Sequence, residues 1–339
     1  MNETLPQARR VRRESFKGLF RITIADSIDK ELVEDIVAAA PEIQMLYIDV
    51  LEDISIDIAL LKELKDLLSL EIREGPNLQN IKLDGIQELG LLHRIEINVN
   101  PERSIEEIDL TPLANHPELK VVTIACPTKK MKGLTALKTI SNLESIGLYS
   151  LDVPELDLST LTGCRKLESI YLGDIGPERP IKPYRLILPR NIQLKILEVS
   201  GCYSENLVLE IDFAFVRDIE SIDSLVLKNC NLTSFDFRVV SSLKRIGRID
   251  LSENKITHLN ITSILETPTY TENALGEPPF VIDSEVIIQI EKKRERDIPK
   301  VLAQPDAIIE DHKGCYAIAC EFGHQWLKKL LDTHTIEWT

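Results

Sequence analysis

Residues 225–261 read LVLKNCNLTSFDFRVVSSLKRIGRIDLSENKITHLNI and repeat one apolar pattern twice. Two apolar blocks, Leu225-Val226-Leu227 and Ile249-Asp250-Leu251, begin 24 residues apart. Three residues past the last apolar position of each stands Cys230 or Asn254, and two further on come Leu232 and Ile256. Each block alternates apolar residues at i and i+2, which marks a short strand with one buried face.

Working outward, the first apolar residue of each such block falls at Ile22, Leu46, Leu70, Ile95, Val122, Ile146, Ile170, Leu197, Leu225 and Ile249. The steps are 24, 24, 25, 27, 24, 24, 27, 28 and 24 residues, a spacing that random aliphatic richness does not produce. Upstream of most marks lies a second apolar block built around an aspartate: Ile56-Asp57-Ile58, Ile108-Asp109-Leu110, Leu156-Asp157-Leu158, Ile211-Asp212-Phe213 and Phe235-Asp236-Phe237. This block belongs on the opposite side of each coil and leads into a helical turn such as 59–66 or 238–243. Its aspartate caps that turn by accepting backbone amides, a better reading than a calcium ladder because Lys82 interrupts the series.

The LxLxxNxL pattern at 225–232 and 249–256, with Cys permitted at the Asn position, is similar to that of the leucine-rich-repeat family. IDLTPL at 108–113 and LDLSTL at 156–161 resemble archaeal-type members. The resemblance implies a right-handed α/β solenoid of about ten coils of 24–28 residues, with a parallel sheet on the concave side and caps at both ends. It also implies binding of another protein through that sheet, without catalysis and without a cofactor. A regulator of a partner enzyme, such as a small GTPase or a phosphatase, is the alternative the family suggests.

Composition agrees with thin stacked coils. The 339 residues carry only 5% aromatics, and 55 acidic against 40 basic side chains give a formal charge of −15. Such a surface repels phosphate backbones, so nucleic acid is not the expected partner. No apolar run reaches the roughly 18–20 residues that span a bilayer. MNETLPQARRVRRESFKGLF at the start is basic and lacks the apolar core of a secretory leader. The expectation is therefore a cytoplasmic monomer, with Cys126, Cys164, Cys202 and Cys230 among its reduced thiols.

Three regions follow: a basic arm at 1–18, the solenoid at 19–270, and a capping segment at 271–339 where the rhythm stops after Ile261. Ser27 is placed to cap a first-coil helix over 30–40. In the tail, Val286, Ile288 and Ile290 alternate as a final strand, and 316–331 reads as an amphipathic helix. His312, Cys315, Cys320 and His324 form an H-x2-C-x4-C-x3-H array that could hold zinc in this segment, although no common zinc module has that spacing. No phosphate-binding Gly-rich loop, GxSxG, HExxH or CxxC occurs.

On the sheet, the residue between the paired apolars and its neighbours two positions away must point outward. The register gives Thr23, Tyr47, Glu71, Arg73, Arg94, Glu96, Tyr149, Tyr171, Glu198 and Asp250 as the recognition face. Tyr149 and Tyr171 lie in adjacent coils beside Ser145, Gly147, Ser169 and Gly173, an arrangement that would leave both rings exposed in a shallow recess. Large rigid aromatics among small residues suit a protein-binding hot spot, with the acidic positions drawing a basic partner.

Overall fold

A computed structural model describes residues 12–16, 19–24, 28–39, 42–50, 55–73, 80–98, 105, 107–177, 183–190, 192–202, 204, 207–265, 269–270, 280–299, 322–323 and 325–339. The described residues form a solenoid of stacked coils, each contributing one strand to a common parallel sheet. Ten parallel strands stack in chain order: Leu19–Ile24, Met45–Val50, Ser69–Arg73, Arg94–Asn98, Val121–Thr128, Ser145–Leu151, Ser169–Ile175, Ile196–Cys202, Ser221–Lys228 and Arg245–Asp250. The i and i+2 apolars of these strands, for example Ile146 with Leu148 and Ile170 with Leu172, are buried against the next layer. Their outward neighbours form straight columns, because parallel pairing keeps equivalent residues side by side.

Register confirms nine of the ten marks. Leu46 pairs with Leu70, and the chain of equivalences runs through Ile95, Val122, Ile146, Ile170, Leu197 and Leu225 to Ile249. The first coil is the exception: Phe20, not Ile22, pairs with Leu46. The strand Leu19–Ile24 holds apolars at Phe20, Ile22 and Ile24, so alternation alone fits two registers that differ by two residues. Arg21 therefore takes the place expected for Thr23, opposite Tyr47.

Five successive strands, from Ser145–Leu151 to Arg245–Asp250, end at a left-handed residue: Ser150, Asp174, Gly201, Asn229 and Glu253 have φ of 59°, 48°, 79°, 52° and 59°. That turn swings the following residue inward: Leu151, Ile175 and Cys230 are buried and Asn254 is half-buried. Asn254 can sit there because its amide is satisfied. Nδ2 donates to the Leu227 and Leu251 carbonyls, each at 2.7 Å, and Oδ1 accepts from the amides of Cys230 and Leu232 at 3.0 and 3.1 Å.

The opposite side carries short ladders rather than a second full sheet. Leu156–Asp157, Tyr184–Ile187 and Leu209–Asp212 pair in parallel, as do Ser55–Asp57 with Asn80–Lys82 and Ile108–Asp109 with Met131–Lys132. The helical turns are shorter than the sequence suggested: 3-10 segments such as Ile58–Leu61 and Phe237–Val239. Asp57, Asp109, Asp157, Asp212 and Asp236 each accept from the amide two residues on, at 2.8–3.0 Å. Where lysine replaces aspartate at Lys132, Gly133 follows directly with φ of 71° and turns the backbone itself. Phe213, Phe235 and Phe237 of this side meet edge to face with ring centroids 5.6 and 4.9 Å apart, and the Phe237 ring lies 5.8 Å from that of Phe280.

At the N-terminal end, Arg12–Phe16 pairs antiparallel with Leu19–Ile24, so part of the basic arm is sheet. The first-coil helix runs Lys30–Ala39 and is capped by Asp29, whose Oδ1 accepts from Leu32 N at 2.8 Å; Ser27 lies outside the described residues. At the other end the rhythm continues past Ile261. Phe280–Val281 joins the main sheet beside Arg245–Asp250 after a 31-residue step from Ile249 to Phe280. The alternating strand in the tail, Ile287–Ile290, joins the opposite side instead, between His258–Asn260 and Ile336–Trp338. The terminal helix is Gln325–Thr333, shorter than expected, and buries Leu327 and Leu330.

Candidate functional site: the outer face of the main sheet

The outward columns divide into two charged ends and a nearly uncharged centre. At the N-terminal end, Arg21 Nε lies 2.5 Å from Asp49. Arg73 makes a two-pronged contact with Glu71 at 2.5 and 2.7 Å, and its guanidinium carbon sits 4.4 Å from the Tyr47 ring centroid. The Glu71 hydrogen bond raises the Arg73 pKa further above its ordinary value. Arg94 bonds Glu96 of its own strand. At the C-terminal end, Arg248 bonds Asp250 at 2.7 Å and Lys228 bonds Glu253 at 2.9 Å. Asp250 is almost fully buried and also accepts from the amide and hydroxyl of Ser252 at 3.0 and 2.6 Å.

These pairings revise the expected role of the acidic positions. Glu71, Glu96 and Asp250 already hold arginines of their own strands, at i+2 or i−2, where side chains share a face. They do not stand open for a basic partner.

Four strands lie between the charged ends: Val121–Thr128, Ser145–Leu151, Ser169–Ile175 and Ile196–Cys202. Their three outward columns hold Val121, Thr123 and Ala125; Ser145, Gly147 and Tyr149; Ser169, Tyr171 and Gly173; and Ile196, Glu198 and Ser200. Glu198 is the single charged residue among these twelve. Its Oε1 accepts from the Ser224 hydroxyl at 3.2 Å, and no cation of the described residues reaches it.

Tyr149 and Tyr171 are half-buried, not freely exposed. The glycines explain this. A Cβ at Gly173 would come within 2.5 Å of Tyr149 Cδ1, and one at Gly147 within 3.0 Å of its Cε2. The Tyr149 ring therefore lies down over the two glycines, whose missing side chains make its bed. Burial pushes the Tyr149 phenol up to about 12, helped by the nearby carboxylates of Glu198 and Glu96 and by Tyr171. Tyr171 stands between Gly147 and Glu198 in its column.

The column register already places Gly147, Gly173 and Ser200 on this face; Ser224, whose hydroxyl reaches Glu198, was missed, and its place directly before Leu225 was the signal that could have found it. His312, Cys315, Cys320 and His324, the zinc candidates, lie outside the described residues. Among the described residues no group of three or more His, Cys, Asp or Glu is placed to hold a metal ion, and no helix is long and apolar enough to cross a membrane.

No protein-family model matches the chain, and no curated protein does. Among solved structures, an internalin from Listeria monocytogenes is similar at 16% identity with a TM-score of 0.46, over 74% of this chain and 65% of that one. The Drosophila Toll–Spatzle complex is similar at 11% identity with a TM-score of 0.25, over 85% of this chain and 52% of that one. The chain thus spans about two thirds and about half of the lengths of these two structures.

Proposed function

We propose that the protein is a non-catalytic scaffold that holds another protein against the outer face of its main sheet, with the centre of contact at Tyr149 and Tyr171. One observation carries this reading: the middle of the face is nearly uncharged and built from small, apolar and aromatic residues, while both ends neutralise their own charges. An interface core is depleted in charge and enriched in tyrosine, and its rim is polar. The sheet face reproduces that layout on parallel strands paired side by side. The buried thiols of Cys126, Cys164 and Cys230 are consistent with work in a reducing compartment.

Capture from lysate of the source cells tests the reading. Tyr171→Ala removes the anchor, and Ser145→Arg places bulk and charge in the centre while leaving the core untouched. A partner recovered by the wild type and lost from both variants supports the sheet face. Equal recovery by all three sinks it.

A further inference from the structure

The sheet face contains the same two-residue pattern twice, and only one copy is complete. At the N-terminal end Tyr47 pairs across strands with Glu71, and Arg73, two residues after Glu71, bonds that carboxylate while lying over the Tyr47 ring. At the centre Tyr171 pairs across strands with Glu198 in the same column and the same order. The residue two after Glu198 is Ser200, whose short side chain brings no cation.

From this juxtaposition we propose that Tyr171 and Glu198, with Tyr149 alongside, seat one arginine or lysine side chain of the protein partner. The proposal rests on the sheet-face reading above and names the chemistry of its central contact. A guanidinium laid against Tyr171 would take the position that Arg73 takes over Tyr47, gaining a planar charge-assisted contact and a cation–aromatic contact together. Among the described residues Glu198 is otherwise held by the Ser224 hydroxyl alone, a neutral donor. The field of the Glu198 charge is felt at the neighbouring phenol: this carboxylate is one of the groups that hold Tyr149 protonated. No basic residue of the twelve central positions competes, and Ala125 pairs with Tyr149 and Thr123 with Gly147 on the strand beyond. The chain's formal charge of −15 also favours approach of a cationic partner.

Selection of a displayed random-peptide library on the full chain tests the seat without a known partner. Four baits are compared: wild type, Ser145→Arg, Glu198→Gln, and Ser200→Arg, which supplies from within the arginine that Arg73 supplies to Tyr47 and Glu71. Matching thermal melts show that all four are folded. The wild type is expected to enrich peptides with arginine or lysine at one fixed position. A synthetic peptide of that consensus should bind Glu198→Gln and Ser200→Arg at least tenfold more weakly, as should its citrulline or norleucine counterpart on the wild type. Peptides that bind the sheet face with no fixed cation overturn the seat and leave the scaffold reading standing, as does undiminished binding to Ser200→Arg. Enrichment only of peptides insensitive to Ser145→Arg, or of none, overturns both.

Discussion

Tyr149 shows how a single side chain depends on residues that have no side chain at all. With a Cβ at Gly173 predicted to fall 2.5 Å from its ring, Gly173→Ala forces the ring off its bed. The expected cost is about 1–3 kcal/mol of overpacking. Because burial is the first cause of the raised phenol pKa, the same change should bring Tyr149 down from about 12 toward ordinary tyrosine, read by ultraviolet titration against a Tyr149→Phe control. An unchanged titration would mean that the glycines do not shape this site. His116 offers a second test at this scale. It is buried with Nε2 3.2 Å from the Leu89 carbonyl, and desolvation lowers its pKa below the ordinary histidine value. A depressed folded pKa means that the unfolded chain binds the proton more readily, so the contribution is present above about pH 6.5 and lost as pH falls below it. Wild type should lose more stability between pH 7 and pH 5 than His116→Asn, in chemical denaturation at both values; equal losses would remove histidine from the account.

Coils in this molecule are closed by backbone satisfied through side chains, and the two devices differ in worth. Asn254 serves two donors and two carbonyls between coils, whereas Asp236 caps one exposed 3-10 turn. Asn254→Ala is expected to cost more than about 2 kcal/mol, since each buried donor left unmet costs roughly 1–3 kcal/mol. Asp236→Ala should cost about 0.5–2 kcal/mol, as a cap does. Urea titration ranks them, and a reversed order would contradict the role given to Asn254. The Asn254 position and the capping aspartates were legible in the sequence because each recurs at a fixed distance from an apolar block. The first-coil register was not, since Phe20, Ile22 and Ile24 satisfy alternation equally and only pairing with Met45–Val50 decides between them. The ion pairs were legible in principle: Glu71 with Arg73, Arg94 with Glu96 and Arg248 with Asp250 all stand two apart on strands, and such residues share a face. The continuation through Phe280 was hidden by a step of 31 residues, outside the 24–28 of the other coils. The lie of Tyr149 could not be read, because spacing says which way a side chain leaves the strand and not how its ring then tilts.

Taken as a whole, the solenoid presents two long sides of unlike character. One is a sheet whose outer columns pass from self-paired charge, through a centre whose one charged residue is Glu198, to self-paired charge again. The other is a succession of short ladders and 3-10 turns, ending in a polar groove lined by Phe235, Asp236, Arg238, His258, Asn260 and Glu291 among others. The account places the partner on the first side. Photo-crosslinking with the captured partner distinguishes the sides directly, using one protein with a benzoylphenylalanine in place of Ser169 at the sheet centre and another with it in place of Asn260 in the groove. The account predicts a crosslink from position 169 and none from position 260. A crosslink from position 260 alone would contradict it and move the binding surface to the opposite side.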